Sequence, residues 1–412
     1  MFAAARQRLS SLVRKREIER IVYFHTDHFE PWRKFCGRNA VSQENIEDLE
    51  RFAAAISGIE YARRLTLFYK PNLNFALRGG SDLIFATPDD KIGFVRRSPQ
   101  VDAECRAALM PILEGTDCEF QLHVHHENYT SNATVTASRS GIGAYLSSIE
   151  GAAHDSSRFE LAIRENLAML SREVGRQVDR WLFVHGNWAL NASDDAECRI
   201  VDEIEILYRL GCRGDFTFPA GRPHVNPCHE RPYLCRPVST PKGYDTVEAE
   251  PEPLAGAGEA RGRDRFFIWA SRIDHDATSI DYYSAFVRNR GQNPLKAAER
   301  IVEQSYVHAG TLYVKTHAHS MHSEYFNGPS TVVVPHAYAP TRDMLELLFD
   351  AGCHSGAEIE FATASEVYDR LLLSDVRDTH DMRIELTKHD EVNVPSWQKK
   401  AKRLAHRFMG SH

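Results

Sequence analysis

The sequence predicts an α/β fold, a distorted (β/α) barrel of about seven parallel strands with long loop insertions. Three observations carry this expectation. Short apolar runs alternate with stretches of helical period along most of the chain, the pattern of β-α-β units and so of a parallel sheet. No Gly-rich phosphate fingerprint follows any of these runs, which sets aside a dinucleotide-binding sheet. Three of the runs end in histidine, and a barrel collects its reactive groups at the C-terminal ends of its strands.

Taken in order, residues 1–19 form a basic N-terminal helical segment, 20–375 the barrel, and 376–412 a C-terminal tail and helix. A first strand covers 20–25. A helix over about 43–64 presents Ile46, Leu49, Phe52, Ala53, Ile56, Ile59 and Tyr61 along roughly one face. Residues 65–90 are irregular with short strand candidates. A helix at about 102–113 leads to the strand 118–125, and the small, polar stretch 127–157 reads as a loop over a site. A helix at about 158–177, the strand 181–184, a helix over 194–210 and the run 212–218 follow. Residues 219–264, rich in Pro, Gly and charge, form a long excursion. Beyond it come a strand at 265–270, helices near 279–290 and 294–308, the strand 311–316 and a helix at about 341–351. Gly211 and Gly352 stand where helices are expected to stop. The strand 359–361 precedes Thr363-Ala364-Ser365-Glu366, a capping-box sequence, and a basic helix covers about 396–409.

A net charge of −7 over 412 residues argues against a nucleic-acid binder, whose footprint is basic. No apolar run reaches the length of a membrane span. The basic first helix allows weak contact with a membrane surface. The eight cysteines form no CxxC pair and read as reduced thiols of a cytoplasmic protein, Cys212 and Cys353 as packing residues.

The chemistry is expected at the strand ends. His123 and His125 are two apart in an apolar run, so in a strand both imidazoles share a face and can converge on one ion; His126 follows as a further donor. Asp27, between His25 and His28, can ligate a metal or act as base toward its water, and Glu30 is an extra ligand or a substrate contact. His317 and His319 repeat the i, i+2 spacing and offer an acid for a leaving group. His185-Gly186-Asn187-Trp188 follows another strand, with Trp188 a flat face for a sugar ring. Asp215 closes a further strand, and Trp32, Asn128 and Tyr129 are wall candidates.

The ordered segments Tyr23-Phe24-His25-Thr26-Asp27-His28, Leu122-His123-Val124-His125, Phe183-Val184-His185-Gly186-Asn187-Trp188, Gly211-Cys212-Arg213-Gly214-Asp215, Val314-Lys315-Thr316-His317-Ala318-His319 and Phe361-Ala362-Thr363-Ala364-Ser365-Glu366 together resemble the polysaccharide deacetylase (NodB-homology) superfamily. The nearest likeness is to a divergent branch associated with O-antigen and capsule gene clusters. The resemblance spans roughly residues 20–370. It implies a distorted barrel that removes N-acyl groups, acetyl foremost, from amino sugars, with a metal held by an Asp and two His, a second Asp as base and a late-strand His as acid. Carried over, Asp27 matches the base and His28 stands where the ligand Asp is usual. His123 and His125 fall in the second motif and His317 in the last.

The expectation is therefore a metal-dependent hydrolase of surface-polysaccharide or glycan metabolism. Its ligands are His28, His123, His125 and His126. Its catalytic groups are Asp27, His317 and His319, and its substrate contacts Glu30, Trp32, His185, Asn187, Trp188 and Asp215. Zn is the expected metal, with Ni, Co or Fe as substitutes. The alternatives are a deacetylase-like carbohydrate-binding protein without activity, or another metal-dependent amidohydrolase.

Overall fold

The computed structural model describes residues 2–32, 40–71, 99–124, 156–195, 198–218, 225–254, 265–271, 294–321 and 339–373. His125, His126, Asn128 and Tyr129 lie outside the described residues, as do the expected helices near 279–290 and 396–409. The described strands are β1 (Arg20–Phe29), β2 (Thr66–Tyr69), β3 (Glu119–Val124), β4 (Trp181–His185), β5 (Cys212–Asp215), β6 (Tyr233–Cys235), β7 (Glu252–Pro253), β8 (Phe266–Ile268), β9 (Tyr306–His308), β10 (Thr311–Ala318) and β11 (Glu358–Phe361). The helices are α1 (Phe2–Lys15), α2 (Gln43–Ser57), α3 (Pro99–Gly115), α4 (Ser156–Val174), α5 (Glu203–Arg209), α6 (Pro294–Gln304), α7 (Ala339–Ser355) and α8 (Ala364–Leu373).

All eleven strands belong to one sheet, in the order β7-β6-β8-β5-β4-β3-β2-β1-β10-β9. The run from β8 to β10 is parallel. β11 adds to the first half of β1, below the stretch of that strand which pairs with β2. The fold is thus mixed α/β with a parallel-rich sheet. Antiparallel pairs finish both ends, β9 on β10 and the hairpin β6-β7 on β8. Closure into a seven-stranded barrel is not seen among the described residues, where the sheet is curled and ends at β7 and β9.

Two contacts measure the curl. In the sheet order β1 and β8 are five strands apart, about 24 Å if flat at ~4.8 Å per strand. Yet the rings of Phe24 and Trp269 are 4.8 Å apart. Lys315 of β10 likewise places its Nζ 3.1 Å from the Phe218 carbonyl, just past β5. The sheet must wrap round this line.

Strand parity sorts the buried residues between the two faces. Val22 and Phe24 of β1, Phe68, Leu182, Val184, Phe216, Phe267 and Tyr313 fill the concave side. α8 closes its lower end with Val367, Tyr368, Leu371 and Leu372. The capping box holds: Thr363 N–H donates to Glu366 Oε2 (2.8 Å), and Glu366 N–H to Thr363 Oγ1 (3.4 Å). The next two amides, of Ala364 and Ser365, donate to Thr66 Oγ1 and Glu119 Oε2. The first turn of α8 is thereby anchored on β2 and β3, with a carboxylate at its positive end.

On the convex side, α2 and α3 cover β2 and β3 through Leu49, Phe52, Leu109 and Ile112. α1, α6 and α7 cover β1 and β10. The N-terminal segment is therefore part of the main body. The apolar side of α1, Leu9 and Val13, is buried among Leu345 and Leu348 and is not presented to a lipid surface. No described helix is long and apolar enough to cross a membrane.

Several boundaries differ from expectation. The helix expected over 43–64 stops at Ser57, before Gly58, and that over 194–210 contracts to α5. The stretch expected to be helix to 308 leaves the helix at Gln304 and adds β9. Gly211 has φ +98° and does end a helix, but Gly352 lies inside α7, where a Cβ would meet the Cδ1 atoms of Ile21 and Ile359 at 2.7 Å. The stop is Gly356, at φ +94°. All seven described cysteines are free; Cys212 is buried, whereas Cys353, expected in the core, is exposed.

Candidate functional site

The parallel strands β1, β3 and β10 bring histidines to one end of the concave face. β1 pairs with β10 as Thr26 to His317 and with β2 as His28 to Phe68, and β3 pairs with β4 as His123 to Val184. Paired positions in a parallel ladder share a face, so His28, His123 and His317 all point inward, above Phe24 and Lys315. The ring of His28 lies 5.0 Å from that of His123, 5.7 Å from that of His317 and 4.3 Å from that of His319. Glu30, two residues beyond His28, places Oε1 3.6 Å from His123 Nε2 and 3.8 Å from His319 Nδ1. All are buried except the His319 side chain, one-fifth exposed, which marks the open edge.

The protonation of this cluster suits a cation. His123 Nδ1 lies 2.8 Å from the Val184 carbonyl. A carbonyl only accepts, so Nδ1 carries a hydrogen and Nε2 is the nitrogen turned toward Glu30. Fixing a ligand histidine through its other nitrogen is the usual arrangement at metal sites. The pKa of His28 is held well below the ordinary histidine value, first by burial and then by His319, His123 and His317, with Glu30 opposing. His28 is therefore neutral at pH 7 and able to ligate. Imidazoles with a carboxylate are a transition-metal type of donor set, but the described residues that bring three donor atoms within 4.8 Å of one another are His185, Cys198 and Glu203 rather than these.

Asp27 has a different place from the one expected. It leaves β1 on the face opposite His28, together with His25. Its carboxylate accepts from the Ser320 hydroxyl and from Ser320 N–H at 3.2 Å, and His25 Nε2 stands 3.4 Å from Oδ2. His25 Nδ1 and Tyr23 Oη both reach Thr316 Oγ1 at 2.8 Å. Burial raises the Asp27 pKa to about 6, offset in part by Ser320. This network clamps the end of β1 to the turn after β10. The carboxylate that faces the imidazoles is that of Glu30.

Other candidates also separate. Trp32, expected as a wall of the site, is buried in the core cluster with Phe29 and Phe52, and its Nε1–H donates to the Tyr69 hydroxyl at 2.5 Å. His185 ends β4 on the convex face. Its Nε2 is 3.3 Å from Glu203 Oε1, and the same oxygen lies 3.4 Å from Cys198 Sγ. His185, Cys198 and Glu203 form a fully buried cluster that could hold a metal, with donor atoms all within 4.8 Å of one another. Trp188 is half-buried, with φ +62°. Asp215 is fully buried, its carboxylate taken by the N–H and O–H of Thr217 at 2.9 and 2.6 Å. Burial pushes its pKa to about 7, against the Thr217 donors.

No family model matches the chain, and no curated protein or solved structure does so. The site is thus read from its own chemistry.

Sequence reasoning passed over Lys315, Cys198, Glu203 and Ser320. Lys315 carried a signal, a charge in an apolar strand at the same parity as His317. Its Nζ donates to the carbonyls of Phe218 and Phe216, fixing the β5 end beneath the histidines. The other three meet their partners only through tertiary structure.

Proposed function

We propose that the chain is a metal-dependent hydrolase that removes an N-acyl group, acetyl foremost, from an amino sugar. The observation that carries the metal-hydrolase reading is the gathering of His123, His317 and His319 round His28, with Glu30 beside His123 and His319 and with His123 Nδ1 held by the Val184 carbonyl. The substrate class rests on the sequence resemblance.

In this reading His28 and His123 hold the cation. A divalent ion there would polarise the amide carbonyl and lower the pKa of nearby water toward ~7. Glu30 takes the proton of the attacking water, which the resemblance alone would give to Asp27. His319, at the open edge, or His317 beside it, gives a proton to the departing amine. Asp27 is a positioning residue: through Ser320 it sets the turn that carries His319. Phe24, Phe68 and Phe216 beneath the cluster keep water from entering from below.

The test is metal content by elemental mass spectrometry, with acetate release from N-acetylated amino sugars. About one equivalent of transition metal lost in His123→Ala, together with acetate release that needs the metal, supports the reading. Tight glycan binding with no acetate released by metal-replete protein would favour a binding protein on the same scaffold.

A further inference from the structure

We propose that His185, Cys198 and Glu203 form a second metal site, one that takes zinc, on the convex face and separate from the histidine cluster. Three elements supply it: the end of β4, the segment before α5, and the first residue of α5. All three side chains are wholly buried.

Two of the three donor spacings are those of ligands round one tetrahedral ion, and the third lies within 4.8 Å. With metal–N and metal–O bonds of about 2.0–2.1 Å and a metal–S bond of about 2.3 Å, tetrahedral edges are about 3.3 Å for N···O and about 3.5 Å for S···O. The observed separations are 3.3 Å from His185 Nε2 to Glu203 Oε1 and 3.4 Å from Cys198 Sγ to the same oxygen. The first is long for an N–H···O hydrogen bond, whose usual length is about 2.9 Å.

Tautomer and charge point the same way. His185 Nδ1 contacts the Gly186 carbonyl, which only accepts, so Nδ1 carries a hydrogen and Nε2 is the nitrogen turned toward the carboxylate and open to a metal. A metal ion here would take this nitrogen and this oxygen as ligands, in place of the hydrogen between them and of the Cys198 S–H. Glu203 is oriented from outside: its Oε2 accepts the Asn191 N–H, and Asn191 Oδ1 accepts the Ile204 N–H at 3.3 Å. Such outer partners are a regular feature of metal ligands. Binding releases the Cys198 thiol proton, and one thiolate with one carboxylate then balances a divalent charge, so the buried complex is neutral. Thiolate with imidazole selects zinc over magnesium or calcium. Three ligands leave one coordination position for a small donor such as water. The ion would tie the turns after β4 to α5.

The rival arrangement puts a proton in place of the ion, as an imidazolium–carboxylate pair beside a neutral thiol. The decisive experiment is spectroscopy of full-length protein loaded with cobalt(II), and with zinc for X-ray absorption. The histidine cluster contains no sulfur, so sulfur signals report this site whether or not that cluster binds metal. The expected result is a near-ultraviolet thiolate-to-cobalt charge-transfer band and a zinc–sulfur shell at about 2.3 Å. The band should vanish in Cys198→Ser and persist in Cys353→Ser, which alters an exposed thiol. Metal-loaded wild-type protein with nitrogen and oxygen neighbours alone would overturn the proposal without any variant. So would a band that survives Cys198→Ser.

Discussion

Glu30 Oε1 stands 3.6 Å from His123 Nε2, on the side of the ring opposite the nitrogen held by the Val184 carbonyl. A carboxylate so placed is within reach of a water bound among the imidazoles, and it comes from the strand that carries His28. In the proposed reading Glu30→Gln keeps the shape and removes the base. Metal content should stay near the wild-type value while turnover falls by about 10²-fold or more. Loss of metal in this variant would make Glu30 a ligand instead.

Asp27→Asn separates the two carboxylates. Asp27 is held by Ser320 and His25 on the other face of β1, so its replacement should cost stability, about 1–3 kcal/mol for a disturbed buried polar network. The accompanying fall in kcat/KM should be smaller than that of Glu30→Gln, because the reacting groups stay in place. Urea unfolding and deacylation assays on the two variants side by side decide this. A larger kinetic loss in Asp27→Asn returns the base to that residue.

The concave core makes a separate prediction. Trp269 stacks on Phe216 with planes 11° apart and meets Phe24 edge-on, joining strands that only the curl brings together. Trp269→Ala should destabilise by about 3–5 kcal/mol. Trp32→Phe, which loses one hydrogen bond to Tyr69, should cost about 1 kcal/mol and leave KM unchanged. A raised KM in Trp32→Phe would restore it as a substrate wall.

The readable parts of this molecule are those with local periodicity. β1, β3 and β10 announce themselves as apolar runs, and the Thr363–Glu366 cap forms as its sequence specifies. Parity along β1 already separates Asp27, grouped with His25, from His28; the family pattern, which sets functional groups side by side in sequence, masked it. Cys198 and Glu203 give no local sign, since each is an ordinary residue until the turns after β4 bring it to His185. The pairing of β6 with β8 was equally hidden. Three-residue strands inside a Pro- and charge-rich stretch gain their order from the edge they dock on, a tertiary effect that outweighs local propensity.

Asp215 makes stability depend on pH with a defined sign. An unfolded aspartate ionises near pH ~3.9, whereas burial holds this one to about 7, even with two donors from Thr217. Between those values the folded chain binds more protons at this group than the unfolded chain. Stability therefore falls as pH rises across the window. The contribution is fully present below about pH 4 and is lost as pH passes through about 7, with a slope of at most about 1.4 kcal/mol per pH unit. Asp215→Asn cannot titrate, and its amide oxygen can still accept the Thr217 N–H. Its unfolding free energy, followed by urea titration across this range, should decline with pH less steeply than that of the wild type. Parallel curves for the two proteins would show that Asp215 is ionised throughout, and so that the Thr217 donors and the Lys315 charge acting on it outweigh its burial.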